Sequence, residues 1–87
     1  MSRRVAWDRH AGDDIESLAR RDRRQAGRIV DAIDQYAEYD RGTVLKMAGG
    51  SGEYRLRVGD WRVMFRLEDG GRSMAISRVL NRRDAYR

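Results

Sequence analysis

The stretch from Tyr54 to Glu68 alternates about one tight turn. Tyr54, Leu56 and Val58 are apolar, and Arg55 and Arg57 lie between them. After Gly59-Asp60 come Trp61, Val63, Phe65 and Leu67, interleaved with Arg62, Met64, Arg66 and Glu68. A period of two sends alternate side chains to opposite faces of a strand. A Gly-Asp pair between two such runs is close in type to a two-residue hairpin signal. The chain is therefore committed to an antiparallel sheet whose apolar face needs a covering layer. The opposite face carries Arg55, Arg57, Arg62 and Arg66.

The first half supplies the cover. Residues 3–7 read as a short strand. Ala11, Ile15, Leu18 and Ala19 recur at helical spacing and predict an amphipathic helix over about 9–20. Asp22 has the chemistry of an N-cap, with Gln25 as the reciprocal partner of a capping box. Ala26, Ile29, Val30, Ile33, Tyr36 and Ala37 then form an apolar stripe running to about residue 39. Two helices with so short a turn between them form an antiparallel hairpin. Asp40-Arg41-Gly42 ends the second helix, Glu68 to Gly71 makes another hairpin turn, and Ser73 to Leu80 forms a last strand. The expected fold is α+β: a short N-terminal strand, a helix hairpin, then a three-stranded antiparallel meander. That is a four-stranded sheet with the helices on one face, in a single domain over residues 1–87.

Composition removes most enzyme classes. With 87 residues there is room for one modest core. The absence of cysteine excludes disulfides, a thiolate nucleophile and Cys-ligated zinc, and a lone histidine, His10, excludes a multi-His metal cluster. No carboxylate pair, metal-ligand spacing or phosphate-cradling loop stands out, so no metal or cofactor is expected. Gly49, Gly50 and Gly52 precede a strand and read as a flexible loop. No apolar run approaches the roughly 20 residues of a membrane span, and the first ten residues lack a signal-peptide core. A cytoplasmic protein is expected.

Charge is distributed unevenly. The net formal charge is +5, yet residues 1–44 hold nine arginines and nine carboxylates. The whole excess lies in residues 45–87, and 18 of the 19 basic residues are arginine, the exception being Lys46. Arginine holds phosphate through a planar fork, which lysine lacks. The run from Arg20 to Arg24 reads as a solvated helix junction, and Trp7 and Trp61 as core residues. Like charges directly opposite on paired strands cost up to about 1 kcal/mol. An arginine-covered face is thus either a polyanion site or a merely solvated surface, and the first reading accounts better for so little interspersed acid.

Such a face suits RNA. The 2′-hydroxyl is an internal nucleophile, so strand cleavage needs a proton acceptor, cations to stabilise the phosphorane and an acid for the leaving 5′-oxygen. Arginines supply the charge, and a tyrosine among them is a proton-exchanging group. Tyr86, three residues beyond Arg83, is placed for this. Catalysis on free RNA would be weak, and an orienting partner is implied.

The segments EYRLRVGDWRVMF (53–65) and SRVLNRRDAYR (77–87) resemble the RelE/ParE toxin superfamily, as does the order of elements over residues 3–87. The RelE branch implies an mRNA interferase that cuts the codon in the ribosomal A site, with the ribosome as orienting partner and a cognate antitoxin as binding partner. By that resemblance Arg62 contacts the scissile phosphate, Arg82 stabilises the transition state, and Tyr86 transfers protons or stacks on the substrate base. Arg55, Arg57, Lys46, Arg66 and Arg83 are the implied RNA-phosphate contacts. Arginines stand here where RelE proteins often have lysines, and Asn81 stands where many relatives have histidine. The ParE branch shares the fold but inhibits DNA gyrase and does not cut RNA. A third reading is a nucleic-acid-binding module without toxicity.

Overall fold

The computed structural model describes residues 2–50 and 52–85. The strands are β1 (Arg4–Trp7), β2 (Thr43–Lys46), β3 (Glu53–Val58), β4 (Trp61–Glu68) and β5 (Ser73–Asn81). They form one sheet in the order β1-β5-β4-β3-β2. Between β1 and β2 lie α1 (Arg9–Arg21) and α2 (Arg23–Tyr39), and a single turn, α3 (Arg82–Ala85), follows β5. The helices carry the chain across one face, from the β1 edge to the β2 edge.

The α+β layering and the β3-β4-β5 meander match the sequence pattern, but the sheet has five strands, not four, and is mixed. β1 runs parallel to β5, whereas β2, β3, β4 and β5 pair antiparallel. β2 is only four residues long, too short for its alternation to stand out from the loops around it.

Helix ends are set by two aspartates. Asp8 caps α1 by accepting from the Ala11 N–H at 3.0 Å. Asp22 serves both helices: its N–H donates to the Leu18 carbonyl at 2.7 Å, and its carboxylate accepts from the Gln25 N–H at 3.1 Å. The expected capping box is therefore half formed. The Asp22 N–H is already committed to α1, and the Gln25 side chain instead accepts from Arg28 at 3.3 Å. At the far end of α2, Asp40 turns left-handed (φ 58°) and its carboxylate pairs with Arg3.

Phe65 lies at the centre of the core, fully buried. Its ring stacks on Tyr54 at 5.5 Å between centroids and meets Tyr36 of α2 at 5.4 Å, tilted by 54°. Ile29, Ile33, Leu56, Val63, Met74 and Ile76 close around it. Among the described residues no helix is long and apolar enough to cross a membrane.

β5 carries the irregularity that shapes one end of the sheet. Met64 pairs with Arg78 but Phe65 pairs with Ile76, so Ser77 is an extra residue. Its hydroxyl donates to the Met64 carbonyl at 3.1 Å. The bulge resets the inward positions from Met74 and Ile76 to Val79, all three buried. β1 stops opposite Ile76. Beyond that point α1 takes over: the Asp14 carboxylate accepts from the Val79 N–H at 2.8 Å and from the Arg78 guanidinium at 2.8 and 3.1 Å. The hydrogen bond to Asp14 holds the Arg78 pKa above its ordinary value.

Asp14→Ala should therefore loosen the end of β5. Arg78 is partly solvated, so we expect a loss of about 1 kcal/mol, or roughly 4–8 °C in Tm. Asp14→Asn keeps an oxygen for the Val79 N–H and should lose less. Thermal unfolding of both variants checks this; a Tm unchanged in Asp14→Ala would rule out the role.

Candidate functional site

The face of the sheet away from α1 and α2 bears the arginines. Arg57 lies directly opposite Arg62, Arg55 opposite Met64, and Arg66 opposite Glu53. On the other side of β3, Thr43 faces Arg57 and Leu45 faces Arg55. Arg55, Arg57 and Arg62 share a hollow of about 230 Å3 with Thr43, Val44 and Leu45, and among the described residues no carboxylate lines it.

The four arginines are not equivalent. Arg62 is only 5% exposed, and its Nη1 donates to the carbonyls of Gly59 and Trp61, both at 2.9 Å. These carbonyls flank the β3–β4 turn, where Gly59 adopts φ 59°, as the first central position of a II′ turn requires. Turning the guanidinium into the turn eases its direct opposition to Arg57. Arg62 is thus a hairpin anchor whose edge reaches the hollow, and not a fully solvated cation. Acid is also better interspersed than the alternation alone implied, since Glu53 stands across from Arg66. Arg57 and Arg66 are exposed, and Arg55 is half-buried.

Other candidates lie elsewhere. Lys46 is exposed, and its register opposite Tyr54 gives it the alternation of Val44, away from Thr43, Leu45 and the arginines. Arg82 and Arg83 are exposed on α3. The Arg82 N–H donates to the Asp60 carbonyl at 2.6 Å, which ties α3 to the same β3–β4 turn that holds Arg62. The Arg83 N–H donates to the Asn81 side chain at 3.3 Å. Tyr86 lies outside the described residues. The hollow also includes Thr43 and Leu45, which no sequence signal marks because the four residues of β2 are too short a run to show alternation; Leu45 is 56% exposed. The arrangement is chemically suited to holding a phosphodiester: forked donors on adjacent strands, with no carboxylate among the described residues that line the hollow.

The fold is shared with solved toxins. A YoeB/ParE toxin from Agrobacterium tumefaciens superposes with a TM-score of 0.76 at 20% identity, over 90% of this chain and 96% of that one. The RelE–RelB complex of Pyrococcus horikoshii OT3 gives 0.72 at 22% identity, over 94% of this chain and 97% of that one. YafQ from E. coli gives 0.69 at 11% identity, over 99% of this chain and all of its own. No curated protein sequence matches the chain. A family model for the ParE toxin of the parDE type II toxin–antitoxin system matches residues 5–86, and the chain belongs to that toxin family.

Proposed function

We propose that this toxin is an endoribonuclease that cleaves mRNA in the ribosomal A site, with residues 1–87 acting as one toxin domain. The observation that carries the reading is the gathering of Arg55, Arg57 and Arg62 from two adjacent strands around one hollow on the open sheet face. In the reaction, the 2′-oxygen attacks the adjacent phosphorus, the bond from phosphorus to the 5′-oxygen breaks, and a 2′,3′-cyclic phosphate and a 5′-hydroxyl result. Arg55 and Arg57 hold the phosphates on either side of the scissile bond. Arg62, fixed by its turn carbonyls, and Arg82, tethered beside the same turn, stabilise the charge that develops on the phosphorane. Tyr86 takes the 2′-hydroxyl proton and delivers one to the leaving oxygen. Arg66, Arg83 and Lys46 add long-range attraction for the RNA backbone. The ribosome supplies the codon orientation that this set of side chains lacks.

The solved archaeal RelE is bound to RelB. We propose by analogy that an antitoxin of this chain lays an acidic segment across the arginine face or the helix hairpin, neutralising the charge. A second reading, inhibition of DNA gyrase without RNA cleavage, is favoured by the ParE description of the matching family model.

Purified protein incubated with programmed ribosomes should produce new 5′ ends inside the A-site codon by primer extension, and none on the same mRNA alone. No cuts in either tube, together with inhibited DNA supercoiling by gyrase, would replace the nuclease by the second reading. Arg82→Ala should lower single-turnover cleavage by about 10²–10³-fold, the usual loss of one charge-stabilising donor, without moving Tm.

Arg57 and Arg62 should separate cleanly in stability measurements. Arg62→Ala removes two hydrogen bonds from a buried guanidinium and should cost about 1–3 kcal/mol in chemical denaturation. Arg57→Ala, on the exposed face, should stay within about 0.5 kcal/mol of the parent while still impairing cleavage. Equal stability losses in the two variants would refute the distinction.

A further inference from the structure

A second cavity, of about 450 Å3, opens between α1 and the C-terminal end of β5, and shares no residue with the arginine hollow. Its size falls within the roughly 300–1,000 Å3 of small-ligand sites. We propose that it binds a nucleotide, with the base against Trp61 and the phosphate between Arg21 and Arg83.

Three features carry the assignment. First, Arg21 and Arg83 reach the cavity from different elements, the end of α1 and α3, and both residues are exposed. Among the described residues neither joins an ion pair. Two forked cations thus line one space without a bridging carboxylate, an arrangement that receives an anion. Second, Trp61 packs against the core but is only half-buried, and it forms part of the wall. An indole in the wall of a basic cavity offers a base an aromatic partner to stack on. Third, the two acids at the site differ. Asp14 is occupied by Arg78 and the Val79 N–H, so its charge is already matched. Asp84 forms no ion pair among the described residues and remains an acceptor. A nucleotide brings ribose hydroxyls and base amines that donate to Asp84 while its phosphate meets the arginines. The carboxylates of an acidic peptide bring no donor for Asp84 and place like charge beside it.

The ligand chemistry, a base with an attached phosphate, is common to a free mononucleotide and to one residue of an RNA strand. The proposal shares Arg83 with the nuclease reading, but its test involves neither ribosome nor cleavage, so the two can fail separately. Trp7→Phe leaves Trp61 as the sole indole of the two in the chain. In that background, Trp61 fluorescence is titrated with nucleoside 5′-monophosphates and with a 2′-O-methyl RNA tetramer, which cannot be cleaved through its 2′-oxygen. Saturable quenching is expected, weakened about tenfold or more by Arg21→Ala and by Arg83→Ala, and unchanged by Arg72→Ala, an exposed arginine at the opposite end of β5. Quenching by the monophosphate with no gain from the tetramer assigns a free nucleotide; quenching by the tetramer alone assigns an RNA strand; both uphold the proposal. Absence of saturable quenching, equal quenching and affinity with orthophosphate, or loss of quenching in Arg72→Ala would overturn it.

Discussion

One carboxylate holds the end of the sheet where both basic sites converge. β5 needs a neighbour on each side, yet β1 ends opposite Ile76. Asp14 stands in for the missing strand by accepting from the Val79 N–H, and it matches its own charge with Arg78. An unpaired backbone N–H at a partly buried edge would otherwise cost as much as a lost hydrogen bond. The substitution works only because Ser77 bulges. In a regular strand that buries Met74 and Ile76, the next inward residues are Arg78 and Leu80. The extra residue makes Val79 the inward one and frees the Arg78 guanidinium for Asp14. A single inserted residue thereby prevents the burial of an arginine in the core and also sets where Asn81 and α3 begin.

The same economy governs the open face. Arginines on adjacent strands repel, and the fold relieves each of them differently. Arg66 has a carboxylate across the ladder in Glu53, and Arg62 retreats into the carbonyls of the β3–β4 turn. What remains accessible is a narrow group around Arg55 and Arg57, bounded by Leu45 and Thr43. Among the described residues the hollow has no acid in its lining, whereas the margin of the face is matched by Glu53. The unevenness concentrates positive potential where a phosphodiester can enter.

Much of this was legible in the sequence because the signals were long. The 54–68 alternation and the α2 stripe each span several periods, and the elements they predicted are present. Two of the failures depend on a neighbour distant in sequence, and the third on a local competition. β2 is four residues, and only its pairing with β3 makes it a strand. The Ser77 bulge leaves no mark on a pattern in which Met74, Ile76 and Leu80 already alternate. The half-formed capping box fails because Asp22 terminates one helix as it begins the next. For the site, period two placed Arg55, Arg57, Arg62 and Arg66 at alternating positions, but it carries no information about burial. Nothing in the string RVGDWR says that the last arginine turns back onto the turn it follows.

The tether between α3 and the β3–β4 turn links these observations. The Arg82 N–H bonds the Asp60 carbonyl, while Arg62 bonds those of Gly59 and Trp61 on either side. Three consecutive carbonyls therefore position one arginine from β4 and one from α3 around a single turn. The turn is rigid where it matters, since Gly59 takes a left-handed conformation that L side chains rarely adopt. Placement of a charge to within a fraction of an ångström requires such support, because a long arginine on an exposed strand has too many rotamers to be pre-organised by itself. Burial of Arg62 is thus compatible with a part in catalysis. The guanidinium gives up solvation and mobility to the turn, and a phosphate entering the hollow meets a cation that need not be ordered on binding.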